Sequence, residues 1–108
     1  MNRNLVEMLN VIKSNNYDRF VINRFLLYYD KIEQMTISEL ECRNMENSIA
    51  GLKVLVILKP NETQYKIALE RLQNRDMLLS VMEKSGLSKS SPIFQKHYAD
   101  LFKSINLM

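Results

Sequence analysis

Two glycines and two prolines in 108 residues leave little material for tight turns. Glycine supplies positive φ and proline a fixed φ, so a sheet-rich domain with many hairpins is excluded. A single cysteine, Cys42, rules out an internal disulfide and agrees with a reducing cytoplasm. The longest unbroken apolar run, Val54 to Leu58, is far too short to span a bilayer. Glu7 falls where a signal peptide needs its apolar core, so a cytoplasmic location is expected. There is no glycine-rich phosphate loop, and the one histidine, His97, has no acidic or cysteine neighbour at ligand spacing. These absences argue against an enzyme and against a bound metal or cofactor.

What is present describes an ordinary folded chain. With 46% hydrophobic and 25% charged residues, it has the composition of a single globular domain spanning residues 1–108. The net charge of +3 permits an acidic partner without demanding one. Its distribution is uneven: slightly basic to residue 29, acidic from Asp30 to Glu46, and basic again beyond Gly51. No block of like charge is long enough to be a tail.

Apolar periodicity predicts an all-α bundle of about five helices. The first, 3–14, places Leu5, Met8, Leu9 and Ile12 on one face, and Asn15-Asn16 ends it. The second, 17–35, carries a stripe through Tyr17, Val21, Phe25, Tyr28, Ile32 and Met35. Thr36 with Glu39 has the pattern of a capping box and opens the third, 37–59. There Met45, Ile49, Leu52 and Val56 keep helical spacing through Gly51. Residues 52–58 are also rich in β-branched side chains and could form a buried strand. A lone strand would have no partner in this chain, so helix is the expectation. Pro60-Asn61 forces a break, and Asn61 with Gln64 suggests a cap for the fourth helix, 62–85. Tyr65, Ala68, Leu69, Leu72 and Leu79 face its core side. Gly86-Leu87 reads as a helix stop, and Ser91-Pro92 as a cap with an N1 proline for the fifth helix, 92–107. Phe94, Tyr98, Leu101, Phe102 and Ile105 share one side of that helix.

Few residues suggest chemistry. His97 falls on the polar flank of the last helix and is expected to be solvated. Cys42 lies at the edge of the Met45/Ile49/Leu52 stripe and is expected to be a partly buried packing residue. Asp30, Glu33, Glu39, Glu41 and Glu46 lack the Asp-x-Asp spacing of a calcium loop, and read as a solvated acidic rim.

Two features point to macromolecular partners. Phe20 and Leu27, seven residues apart, lie off the core stripe of the second helix among Arg24 and Lys31. A helix apolar on two sides is either central in its bundle or docked to another chain. An aromatic anchor beside arginine is common hot-spot chemistry, so Phe20, Arg24, Leu27 and Lys31 are candidate protein-binding residues. The partner would be another protein chain, identical or different, and the role that of an adaptor, inhibitor, secretion-type chaperone or immunity-like factor.

The segment Val81 to Gln95 resembles the helix-turn-helix of bacterial transcription regulators. Gly86, Leu87 and Ser88 match the turn, and Ser91 would open the recognition-helix region. The resemblance implies DNA as the alternative partner, with Lys89, Ser90 and Gln95 facing bases and Lys84 and Lys96 neutralising phosphate. A glycine stop followed by a Ser-Pro start explains the same residues without DNA.

Overall fold

Asn4 accepts a hydrogen bond from the Glu7 amide at 2.8 Å and starts α1 (Leu5–Ser14), satisfying one of the orphan donors of the first turn. A computed structural model of the chain describes residues 4–86, 88, 90–103 and 105, leaving aside the side chains of Arg75, Leu78 and Leu101. Six helices make up the described chain: α1, α2 (Arg19–Leu26), α3 (Tyr29–Glu41), α4 (Met45–Leu58), α5 (Thr63–Lys84) and α6 (Pro92–Lys103). No strand occurs among the described residues. None of the helices is long and apolar enough to cross a membrane.

The expected five helices become six because the second one breaks at Leu27-Tyr28. The amides of Leu27 and Tyr28 close back on the carbonyls of Arg24 and Phe25, a tighter i→i+3 pattern, and Tyr28 departs from helical dihedrals at φ −110°, ψ 18°. Phe25 and Ile32 are buried on either side, so the seven-residue spacing survives a break that contains neither glycine nor proline. The start also shifts. Asn16 and Tyr17 both take left-handed backbone, φ 52° and 57°, and Asp18 rather than an asparagine caps α2 by accepting from the Phe20 amide at 2.8 Å. Tyr17, placed on the core stripe by its spacing, is exposed in this turn.

The expected boundary at Thr36 does not exist. Thr36 lies inside α3, fully buried, and its hydroxyl donates to the Ile32 carbonyl at 2.9 Å instead of capping a new helix. The real boundary comes at residues 42–44. The amide of Arg43 bonds the Leu40 carbonyl and that of Asn44 bonds the Glu39 carbonyl, a Schellman stop with Arg43 at φ 58° where glycine is the usual occupant. Asn44 then caps α4 through the Asn47 amide at 3.0 Å. Cys42 ends α3 and is exposed, not part of the packing.

Residues 52–58 are helical, and Leu52, Leu55 and Leu58 are buried, with Val56 half-buried. α4 is the central element and packs against α1, α2, α3 and α5. That position explains why it is apolar on nearly every side and why β-branched residues crowd it. Gly51 permits the closest of these contacts: a Cβ there would meet the Thr36 hydroxyl first and stand 2.8 Å from Leu5 Cδ1 and 2.9 Å from Thr36 Cγ2. Leu5, Ile12, Ile32, Leu52, Leu55 and Leu72 form the dry centre, each stabilising the fold by about 1.5–3 kcal/mol through burial.

Lys59 leaves helical dihedrals before Pro60 (φ −131°, ψ 69°), and the Glu62 amide closes a turn on the Lys59 carbonyl with proline in the second position. α5 starts at Thr63 with no side-chain cap, so the expected Asn61 cap is absent. Tyr65, Ala68, Leu72 and Leu79 are buried as their spacing requires, with Leu69 half-buried. Gly86 ends α5 at φ 98°, and Pro92 is the first residue of α6. Phe94 and Phe102 are buried and Tyr98 is half-buried, while α6 ends at Lys103 rather than at residue 107. The proposed helix start at residue 3, Leu87 of the Gly86 stop, and residues 104, 106 and 107 lie outside the described residues, as does the Leu101 side chain.

Candidate functional site

α2 is short because little of it is buried. Phe25 alone is fully inside, with Val21, Ile22 and Leu26 half-buried. The Asp18 cap and the left-handed pair before it fix the entry angle of the helix, leaving Phe20 on its outer side. Phe20 and Leu27 are each 82% exposed. Leu27 keeps helical dihedrals (φ −63°, ψ −22°) as the C-cap of α2, so its i, i+7 relation to Phe20 is retained despite the break. Tyr17 and Tyr28, 51% and 47% exposed, bracket the same helix in sequence.

Arg24 is exposed beside this pair and lines a cleft of about 680 Å³ between α1 and α2. Val11, Val21 and Phe25 form its apolar wall, with Leu27 and Tyr28 at one side. Lys31 is also exposed, but α3 carries it, and it sits beside Tyr28 and Met35 in a separate crevice. Phe20, Arg24 and Leu27 therefore belong to α2 as the spacing implies, whereas Lys31 follows the break and joins them only through Tyr28.

The segment that resembles a helix-turn-helix divides at the described turn. Lys84 is exposed in the last turn of α5, Ser90 in the turn that follows, and Gln95 and Lys96 near the start of α6, while Lys89 lies outside the described residues. Ser88 holds the turn: its hydroxyl meets that of Ser90 at 2.8 Å, and its carbonyl accepts the Ser91 amide at 3.0 Å. The Gln95 amide bonds the Ser91 carbonyl, which makes Ser91-Pro92 the helix start that the sequence implies.

One polar cluster was not legible as a site. Tyr29 and Glu33, four residues apart on α3, meet the buried Tyr65 of α5; the tyrosine hydroxyls contact each other, and Tyr65 donates to Glu33 Oε2. Burial first, then the Glu33 and Tyr29 bonds, push the Tyr65 hydroxyl well above the ordinary tyrosine range. Burial likewise raises Tyr29, over whose ring Lys59 Nζ stands 4.9 Å from the centroid. The i, i+4 spacing of Tyr29 and Glu33 was the only sequence signal. Glu33 is thus half-buried and bonded rather than part of a solvated rim. These groups are engaged with one another, and the cluster's role is to join α3 to α5. No protein-family model matches this chain, and no curated protein or solved structure matches it.

Proposed function

We propose that this protein is a non-catalytic protein-binding module that engages another chain through the outer face of α2. The observation that carries the reading is the pair Phe20 and Leu27, both 82% exposed on one side of a helix whose opposite side reaches the core. Leaving two large apolar side chains in water gains nothing for folding, and a partner that covers them gains their burial. Arg24 beside them supplies a charged, hydrogen-bonding rim, and the neighbouring cleft offers a recess for a partner's own side chain. An adaptor, inhibitor, secretion-type chaperone or immunity-like factor would use a face of this kind.

The test is affinity capture from the native host with wild type and the double variant Phe20→Ala, Leu27→Ala. The expected result is a co-purifying protein that the double variant loses, with a thermal melt within a few degrees of wild type. Unchanged capture by the folded variant removes the role of this face. Capture of duplex DNA instead, weakened by Lys84→Ala and Lys96→Ala, would favour the nucleic-acid alternative.

A further inference from the structure

A second face, on the flank of α1 away from the α2 cleft, carries an arrangement of charge that identifies its occupant. Here α1, α4 and α5 leave a shallow apolar trough. At one end it is lined by Val6 and Met45 with Glu46 and Asp76. At the other end stand Lys13, Tyr17, Val56, Ile57 and Leu69. Leu9 and Lys53 line both parts and make the trough continuous. Its α4 side is a strip of half-buried Met45, Ile49, Val56 and Ile57, aliphatic groups that the fold itself leaves partly uncovered.

The pairing of residues gives the direction of each wall. Val6 lines the end that holds Met45 and Lys13 the end that holds Ile57, so the α1 wall runs in the same sense as α4. Asp76 is near Met45 and Leu69 near Val56, so α5 runs antiparallel. Glu46 and Asp76 therefore mark the α4 N-terminal end of the trough and Lys13 the opposite end, with Lys53 between them. A partner of uniform charge is repelled at one end or the other. The same surface rotated by a two-fold axis across the trough matches it at both ends, since isologous contacts repeat each pairing twice.

We infer that this trough is the interface of a symmetric homodimer. The second copy lies antiparallel, Lys13 of each copy faces Glu46 and Asp76 of the other, and the aliphatic strips meet between them. Glu46 to Ile57 spans roughly 17 Å at the helical rise. A strip of that length falls at the small end of specific interfaces, so association is expected in roughly the micromolar range. This inference uses none of Phe20, Arg24, Leu27 and Lys31 and stands or falls separately.

The experiment is sedimentation velocity on the full chain over a range of concentrations, with wild type, Lys13→Glu, Glu46→Lys and an equimolar mixture of the two variants. Both side chains are exposed, so the fold tolerates either change. In its own homodimer Lys13→Glu sets carboxylate against carboxylate twice, and Glu46→Lys sets ammonium against ammonium twice. Each variant alone is expected to dimerise at least about tenfold more weakly than wild type. In the mixed dimer both cross-contacts again pair opposite charges, so mixing restores association. A wild type that stays monomeric throughout overturns the inference, as does a mixture that stays monomeric. Dimerisation untouched by either reversal but lost in Phe20→Ala, Leu27→Ala would overturn it too, by moving self-association to α2.

Discussion

Tyr65 of α5 donates its hydroxyl to Glu33 of α3, thirty-two positions earlier, in a contact that also engages Tyr29. The Tyr65 side chain is fully buried, so its hydroxyl has no water to turn to. Tyr65→Phe should destabilise the fold by about 1–2 kcal/mol at neutral pH, measured by denaturant unfolding.

The same bond sets an alkaline limit. Tyr65 and Tyr29 hold their protons more tightly in the folded chain than an unfolded tyrosine, whose reference value is 10.0. Their contribution is complete below that value and is lost as pH rises above it, because the unfolded chain then binds fewer protons. Stability should fall above pH ~10 by up to about 1.4 kcal/mol per pH unit for each group. Thermal melts across the alkaline range should show a shallower decline for Tyr65→Phe than for wild type. An identical decline would mean that this cluster does not govern the limit.

Gly51→Ala should destabilise the protein although alanine is the better helix former. The propensity gain is about 1 kcal/mol. Against it stands overpacking between Leu5 and Thr36, which typically costs ~1–3 kcal/mol and here meets side chains fixed from two other helices. Gly51→Ala should cost less in a Thr36→Ala background, which lacks both the hydroxyl nearest the added Cβ and the methyl at 2.9 Å, as read by chemical denaturation.

Ser48→Ala should be neutral or stabilising by up to about 1 kcal/mol. The Ser48 hydroxyl is buried and has no hydrogen-bond partner among the described residues, so folding strips it of water without replacement. A loss above ~1 kcal/mol on denaturant unfolding would show that the hydroxyl is satisfied after all.

Arg43→Gly should stabilise by roughly 0.5–1 kcal/mol. Relief of a left-handed arginine at φ 58° outweighs the greater chain entropy of glycine in the unfolded state. The carbonyl of residue 43 still accepts the Tyr98 hydroxyl at 2.7 Å, since that bond uses backbone only. The measurement is the shift in denaturation midpoint.

The all-helical class was legible because Leu5, Met8, Leu9 and Ile12, or Tyr65, Ala68 and Leu72, can satisfy their spacing only in a helix. The stops that were found used their customary residues: Asn16, Pro60 and Gly86. The stops that were missed did not. Arg43 fills a glycine position, and the break at Leu27-Tyr28 preserves the Phe25-to-Ile32 spacing, so neither leaves a trace in residue type. Thr36 with Glu39 formed a sound local cap signal that tertiary burial overrode. On the candidate site, the outward position of Phe20 and Leu27 followed from their phase on α2. The Tyr65–Glu33 bond did not, because it joins residues whose proximity depends on where α4 and α5 are placed.

The central position of α4 has a consequence for synthesis. Leu5, Ile12 and Ile32 are fully buried, and α1, α2 and α3 all pack against a helix that follows them in the chain. At ribosomal elongation rates, roughly 3–10 s separate the appearance of Leu5 from that of Leu58. During that interval the first three helices lack the element that covers most of their apolar faces, with only slight contacts, chiefly α1 with α3, to form among themselves. The growing chain must therefore pass through a stage in which its first forty residues are either loosely collapsed on themselves or held by a chaperone. Gly51 arrives near the end of that wait, where the docking surface must be smooth enough for α1 and α3 to close on it together.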